Sequence, residues 1–268
     1  MNIFEGLFQL LIFNFDGFVK TFNATSIEST WFLFLFLSFA SLLILLKLFG
    51  EVGVYLYTAI AIIVGNIQIL KIVKFSFFEE PIALGTILFA STFLCTDILA
   101  EYYGEKSARK NILLGFSGFL LMTILMLFTI GFKPLNEITS GDKYAWALSI
   151  QDNLLGVFMP LPIFFAASMI AYLSSQFFDV WFFKKISKFT NKKFLWLRNN
   201  FSTMVSSLID NTIFSIFAWI IFNPNPLDFN TVLFTYILGT YVLRIFIALL
   251  DTPIIYLAKF FLPKNSNE

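Results

Sequence analysis

Residues 31–49 read WFLFLFLSFASLLILLKLF, and this stretch decides the class of fold. It has a single charged side chain, Lys47, close to its end. At the α-helical rise of about 1.5 Å per residue, the stretch is long enough to cross the ~30 Å hydrocarbon core of a lipid bilayer. We therefore predict a transmembrane helix here, with the lipid bilayer as a partner of the chain.

Further apolar stretches of comparable length follow it. They cover residues 52–73, 82–101, 111–131, 156–182, 201–222 and 231–262. Together with 31–49 they predict seven membrane spans. The last is longer than a bilayer needs, so we expect it to tilt, to kink near Pro253 or to extend along the membrane surface. Residues 3–19 carry two acids and a glutamine close together on a helical projection, which favours an amphipathic helix at the interface.

The composition of the whole chain agrees with a membrane protein. Of its 268 residues, 58% are hydrophobic and 13% are charged, against about 25% charged residues in soluble domains. The chain contains no His and a single Cys, Cys95. His-dependent catalytic triads, His-ligated metal sites and an internal disulfide are therefore excluded. No basic arm points to nucleic acid as a partner and no motif points to a cofactor, so we predict neither.

Basic residues are distributed unevenly between the predicted connections. The connection 183–200 has six basic residues and no acid, and residues 106–110 after the third span add three more. In a seven-span count these two connections lie on one side, which the positive-inside rule assigns to the cytoplasm. The connections 74–81 and 132–155 mix Lys with acids. We predict a multi-pass protein of the cell (inner or plasma) membrane, with its N-terminus outside and its C-terminus in the cytoplasm.

Polar side chains that are costly to bury lie within several predicted spans. The second span has Asn66, the third has Asp97 and Glu101 on one helical face, the sixth has Asp210 and the seventh has Arg244. An ionisable group near the bilayer centre costs at least ~2.5–3.5 kcal/mol. Counted along the helices, Asp210 lies near the midplane, and Asp97 and Arg244 lie about 20 Å below the outer face. We predict that these five residues bind a ligand.

Arg244 has two interpretations that the sequence leaves open. It is either a structural counter-ion to Asp97 or Asp210, or a contact of the ligand. One Arg cannot neutralise Asp97, Glu101 and Asp210 together. The surplus carboxylates point to a cavity that holds water, a cation or a ligand with N–H donors. We expect Asp97 and Asp210 to face one such cavity.

Two further acids, Asp179 and Asp251, lie close to the predicted inner boundary of the membrane. Burial of a carboxylate costs less there than at the centre of the bilayer. We interpret both as anchors at the ends of their helices.

Four stretches with these polar residues carry a resemblance to a known family. They are TDILAEYYGEKSARK at 96–110, ASMIAYLSSQFFDVWFF at 167–183, WLRNNFSTMVSSLIDNTIFSIFAWIIF at 196–222 and LLDTPIIYL at 249–257. The first has an intramembrane Asp, an acid four residues later, a Tyr-Gly turn and a basic loop. In order and spacing the stretches resemble the queuosine-precursor transporter family, also called the vitamin-uptake-transporter family. Arg244 stands where we expect a Lys in many relatives.

The resemblance implies an architecture as well as a function. Residues 52–262 would form a six-helix core similar to the substrate-binding subunits of energy-coupling-factor transporters. Residues 31–49 would be an additional transmembrane helix, preceded by the N-terminal interfacial segment 1–30. Residues 263–268 would form a cytoplasmic tail after the core. The implied function is import of 7-deazaguanine bases, such as queuine or its precursors, for salvage into tRNA modification. An energy-coupling-factor module is the implied candidate partner.

Other functions remain open at this point. A transporter of the same fold could take a different vitamin. An intramembrane enzyme is disfavoured, because the paired motifs of aspartyl intramembrane proteases and an Asp-rich metal cluster are both absent from the sequence. A purely structural subunit is disfavoured by the surplus of buried acids. We therefore predict a transporter that is not an enzyme.

Overall fold

The computed structural model describes residues 3–78, 81–135, 142–159 and 161–263, and within them the protein is a bundle of helices. The helices are α1 Ile3–Leu11, α2 Phe15–Asn23, α3 Ile27–Phe49, α4 Glu51–Gln68, α5 Thr86–Tyr102, α6 Glu105–Gly131, α7 Ala145–Phe158, α8 Leu161–Phe189, α9 Leu195–Ile216 and α10 Thr240–Phe261. A π-helical segment, Phe217–Ile221, extends α9, and another, Val232–Gly239, leads from a short turn at Phe229–Thr231 into α10. Strands β1 Ile72–Val73 and β2 Ile82–Ala83 form a short antiparallel hairpin.

Five helical segments among the described residues are long and apolar enough to cross a membrane. They are Ile27–Phe49, Glu51–Gln68, Glu105–Gly131, Leu195–Ile221 and Phe229–Phe261. The predicted fold class, an all-α polytopic membrane protein, is confirmed. The two other predicted spans, 82–101 and 156–182, coincide largely with α5 and α8. Whether these two also cross the bilayer stays a prediction.

The joint between α3 and α4 shows how the sequence sets the packing of the first spans. Ser26 caps α3 by accepting a hydrogen bond from the backbone N–H of Ser29 at 3.3 Å. Gly50 ends the helix at φ +60°, a conformation that glycine adopts without a Cβ clash. Since α4 begins at Glu51, the chain reverses within one residue, and Leu42 and Leu46 become fully buried.

Three predicted boundaries were wrong. The span predicted at 52–73 ends early, because residues 72–73 pair with the second strand of the hairpin. The span predicted at 156–182 is divided between α7 and α8, at a point where the sequence has Pro160 and Pro162 and a helix is expected to break. The single amphipathic helix predicted at 3–19 is two helices, α1 and α2, and their place at the membrane interface stays a prediction.

α5 lies at the centre of the bundle. It packs against α3, α4, α6, α8, α9 and α10, and most of its side chains are buried. Lys184 Nζ, at the end of the long helix α8, lies 3.8 Å from Glu105 Oε2 at the start of α6. The two basic connections therefore lie at the same end of the bundle, which we call the basic end. The hairpin lies near the start of α5, which is the opposite end.

Candidate functional site

An ion pair between Arg244 and Asp210 joins α10 to α9 inside the bundle. Arg244 Nη1 donates to Asp210 Oδ2 at 2.6 Å, and the two side chains are only 9% and 12% exposed. Ser175 Oγ on α8 donates to the other carboxylate oxygen at 3.0 Å. Of the two partners considered for Arg244, the structure therefore selects Asp210 rather than Asp97.

This pair forms part of the wall of a cavity of about 70 Å³. A single water needs ~10–15 Å³ measured in this way, so the cavity has room for several groups of that size. The remaining polar lining includes Ser168, Asn211 and Thr240. The aromatic lining consists of Phe89, Phe93, Tyr172, Phe214, Trp219 and Tyr236. The cavity thus combines one charged wall with several flat apolar surfaces.

Two of the aromatic residues that line the cavity lie in the two π-helical segments. Trp219 lies in the first segment and Tyr236 in the second, with their ring centroids 4.6 Å apart. Asn211 fastens the second segment to α9, because its Nδ2 donates to the carbonyl of Ile237 at 3.2 Å and to Thr240 Oγ1 at 2.8 Å. π-Helical turns are frequent at functional sites, and these two border the cavity.

Asn66 supports the cavity without lining it. Its side chain is fully buried and donates to the carbonyl of Ile62 at 2.8 Å. Its Oδ1 accepts a hydrogen bond from Ser168 Oγ at 2.7 Å, and Ser168 faces the cavity. Asn66 therefore fixes the position of a lining hydroxyl.

The expectation that Asp97 and Asp210 face one cavity is wrong for Asp97. The residues of α5 that line the cavity are Thr86, Phe89, Thr92 and Phe93, whereas Asp97 lies one turn further toward the basic end. Asp97 is fully buried and accepts a hydrogen bond from Thr203 at 3.3 Å. Counting residues from the ends of the spans missed this because neighbouring helices are offset along the membrane normal.

Glu101 lies still closer to the basic end and has a partner that sequence reasoning missed. Arg198 Nη2 donates to Glu101 Oε1 at 2.5 Å, and the Arg198 side chain is 2% exposed. It also donates to the backbone carbonyls of Lys192 and Lys193. Arg198 was counted among the basic residues of a loop, but α9 begins at Leu195 and carries it into the bundle. Ser202 and Ser206 lie four and eight residues after Arg198 on the same side of α9, and this spacing would have indicated that Arg198 is part of a polar face of the helix.

Asp179 and Asp251 are not anchors at helix ends. They are 0% and 1% exposed, because α8 continues to Phe189 and α10 to Phe261. Each acid therefore has ten more helical residues after it, about 15 Å of helix. Both lie in the interior beside Asp97.

A second cavity of about 480 Å³ lies between the N-terminal helices, α3 and the hairpin. Its lining is mostly apolar, and Lys71 is its only charged side chain among the described residues. It therefore lacks the convergent polar groups that orient a polar ligand. No group of three or more Asp, Glu, His or Cys side chains in the described part of the chain is placed to hold a metal ion.

Comparisons of the chain with known proteins point to one family. A family model described as "Putative vitamin uptake transporter" matches residues 83–258. The chain is 31% identical over 242 residues to the "Probable queuosine precursor transporter" of Bacillus subtilis (strain 168), a match that covers 90% of this chain and 98% of the relative. A match of that length in a chain of 268 residues has to include residues 31–49 as well as the core. No solved structure matches the chain.

A polytopic bundle with a cavity among its helices that has one charged wall, in a chain with these relatives, is a membrane transporter. The chain belongs to the vitamin-uptake-transporter family, also called the queuosine-precursor transporter family. This confirms the identification made from the four sequence stretches. The similarity of the core to energy-coupling-factor subunits stays a prediction.

Proposed function

We propose that this protein imports a 7-deazaguanine base, such as queuine or one of its precursors, for salvage into tRNA modification. The observation that carries the proposal is the Arg244–Asp210 pair in the wall of an aromatic-lined cavity. The name of the Bacillus subtilis relative supports the same class of substrate. The bound base would lie flat between aromatic rings with its polar edge toward the ion pair.

The chemistry of a guanine-like edge suits this wall. Such an edge offers an N1–H and an exocyclic amine as donors and a carbonyl oxygen as acceptor. Each oxygen of the Asp210 carboxylate has two lone pairs, so both can accept from the base while keeping their contacts to Ser175 and Arg244. Arg244 Nε is buried and has no hydrogen-bond partner within the described residues, so it can donate to the carbonyl.

Stacking would supply the rest of the affinity. Stacking of a base on an aromatic side chain contributes about 1–3 kcal/mol. Trp219 offers a face and, in addition, an indole N–H that is buried without a partner among the described residues. In this proposal Asn66 positions Ser168, whereas Asp97 and Glu101 belong to the route beyond the cavity.

Asp210→Asn should reduce uptake of labelled queuine or its precursors by tenfold or more. The amide loses charge-assisted hydrogen bonds worth ~1.5–3 kcal/mol. Uptake is measured in cells that lack their own importer and their own synthesis of these bases, together with the amount of folded protein. Asp152→Asn, an exposed acid, is the control and should transport at the parental rate.

A second variant separates binding from folding, because Asp210→Asn also leaves Arg244 without its partner. Trp219→Ala should lower uptake by a similar factor at a normal protein level, whereas Trp196→Ala, whose side chain is half exposed, should not. Parental uptake by folded Asp210→Asn and Trp219→Ala would place the binding site elsewhere. If the protein takes up another vitamin in preference to these bases, it is a member of the family with a different substrate.

We also propose that the basic end faces the cytoplasm, as the distribution of basic residues suggests. Lys143 and Lys188 are both exposed, and Cys95, the single cysteine, is buried. A membrane-impermeant thiol reagent added to intact cells should therefore label Lys143→Cys and leave Lys188→Cys unlabelled until the membrane is opened. If Lys188→Cys is labelled in intact cells and Lys143→Cys is not, the basic end faces the outside and the proposed topology is wrong.

A further inference from the structure

Three buried carboxyl groups meet between the cavity and the basic end: Asp97 of α5, Asp179 of α8 and Asp251 of α10. We call them the acid cluster. Asn199, Thr203 and Ser206 lie on one face of α9 at successive turns, and each is hydrogen-bonded to one of the three acids, so the three carboxyl groups lie along that face. Their hydrogen bonds come from Thr203 at 3.3 Å, Ser206 at 2.7 Å and Asn199 at 2.9 Å.

The acid cluster has no counter-charge in the described part of the chain. The two buried arginines nearby are both engaged, Arg198 with Glu101 and Arg244 with Asp210. Three adjacent carboxylates cannot all be ionised in a medium of low dielectric constant. The titratable groups of the surrounding helices that are buried or lie in a buried ion pair include Tyr55 and Tyr57 of α4, Cys95 and Glu101 of α5, Tyr172 of α8, Arg198 and Asp210 of α9, and Arg244 of α10.

A neighbouring amide points independently to a bound donor. Asn199 is fully buried and uses its Nδ2 to donate to Asp251. Its Oδ1 has no hydrogen-bond partner among the described residues, and neither has one oxygen of each acid in the cluster. Buried acceptors of this kind are normally satisfied. Protons on the carboxyl groups would supply the missing donors.

A proton fits these groups better than a metal ion does. Ser206 Oγ lies 2.7 Å from Asp179 Oδ1 and 2.6 Å from the carbonyl oxygen of Ser202. When the hydroxyl donates to that carbonyl, a protonated Asp179 can donate to Ser206 Oγ. No three acids among the described residues have the geometry of a metal site. Two adjacent carboxyl groups that share a proton are a common arrangement in proteins.

One chain of hydrogen bonds leads from the cavity toward the acid cluster. Gln176 of α8 donates to Thr92, which lines the cavity, and accepts from Thr96, the residue before Asp97 on α5. On α8, Ser175 donates to Asp210 in the cavity wall, and Asp179 lies one turn further along the same helix. The acid cluster and the cavity therefore share α5 and α8, and a change of charge in the cluster can act on the cavity through these two helices.

We propose that the acid cluster is a proton-binding site that couples substrate import to the entry of protons. This inference rests on the proposed function. A carboxylate of the cluster takes up a proton from the outer side, and the same proton leaves to the cytoplasm after the substrate is released. No other bond is formed or broken in this cycle.

Infrared spectroscopy of the purified protein tests the site without any substrate. We expect absorption by protonated carboxyl groups at neutral pH, and we expect Asp179→Asn to diminish it. Asp152→Asn, the exposed control, should leave the absorption unchanged. If the parental protein shows no protonated carboxyl at neutral pH, the acid cluster is not a proton site.

Transport by proteoliposomes tests the coupling. Exchange of a labelled, neutral 7-deazaguanine precursor across the membrane needs no gradient, whereas accumulation does. With one proton per substrate, an outside more acidic by one pH unit should give about tenfold accumulation that a protonophore abolishes. Asp179→Asn and Asp251→Asn should retain exchange and lose this accumulation, whereas Asp152→Asn should retain both.

The outcomes separate the two proposals. If the parental protein exchanges the labelled base but a pH gradient drives no accumulation, the proton coupling is refuted and the proposed function is not. Accumulation that a sodium gradient drives instead of a pH gradient has the same consequence. Undiminished accumulation by both Asp179→Asn and Asp251→Asn also refutes the coupling. If the parental protein exchanges no labelled base, the proposed substrate is wrong, and the coupling to it falls as well.

Discussion

Arg244→Ala should sharply reduce the amount of folded protein in the membrane. The change leaves the buried carboxylate of Asp210 without the guanidinium that lies 2.6 Å away. Removal of one partner from a buried ion pair costs ~3–5 kcal/mol, because the remaining charge stays in a medium of low dielectric constant. The protein level is measured in membranes, and the unfolding temperature is measured after purification in detergent.

Two further variants complete this test. Arg244→Ala combined with Asp210→Asn should recover part of the lost protein, since no charge remains unpaired. Arg109→Ala breaks the exposed pair with Glu105, in which the side chains are 49% and 38% exposed, and should cost no more than about 1 kcal/mol. If Arg244→Ala accumulates at the parental level but transports nothing, Arg244 acts only as a ligand contact and not also as a structural counter-ion.

Gly53→Ala should also prevent normal folding, for a steric rather than an electrostatic reason. A Cβ at this position would lie 2.0 Å from the carbonyl oxygen of Leu45 and 2.5 Å from its carbon. These are backbone atoms of α3, so no side-chain rotation relieves the clash, and the reversal at Gly50 has to open. Overpacking of this kind costs typically 1–3 kcal/mol, and more when the backbone has to move. The unfolding temperature and the yield of folded protein measure the effect.

Gly118→Ala is the matched control within α6. The nearest atom to its new Cβ is the Cβ of Ala59 at 3.6 Å, an ordinary contact. Because Ala has the higher helix propensity, this variant should be as stable as the parental protein or slightly more so. Equal unfolding temperatures for Gly53→Ala and Gly118→Ala would mean that α3 and α4 do not approach each other so closely.

Much of the architecture could be predicted from single segments of the sequence. Helices occupy the predicted spans because an apolar run in a bilayer has to satisfy its own backbone hydrogen bonds. The family could be identified because its polar residues fall at characteristic spacings within those helices. The ends of the helices were predicted less accurately than their presence. The pairing of residues 72–73 with 82–83 and the separate helices α7 and α8 depend on turns and prolines within stretches of sequence that are otherwise apolar.

The candidate site shows which features could be predicted from the spacing of residues along one helix and which could not. Spacing along one helix determines which residues share a face, so Asn66, Asp97, Asp210 and Arg244 could be predicted to point into the bundle, and they do. Spacing carries no information on how far one helix is displaced along its neighbour. That displacement depends on the packing of side chains between helices.

The sequence by itself therefore determined the membrane class, the family and four of the buried polar residues, Asn66, Asp97, Asp210 and Arg244. The tertiary structure alone decided their partners. It paired Arg244 with Asp210 and Arg198 with Glu101, and it brought Asp97, Asp179 and Asp251 together. The physical reason is that propensity, hydropathy and spacing are properties of one segment, whereas an ion pair or a cavity exists only between segments. Its geometry depends on the rotation and axial offset of every helix that contributes to it.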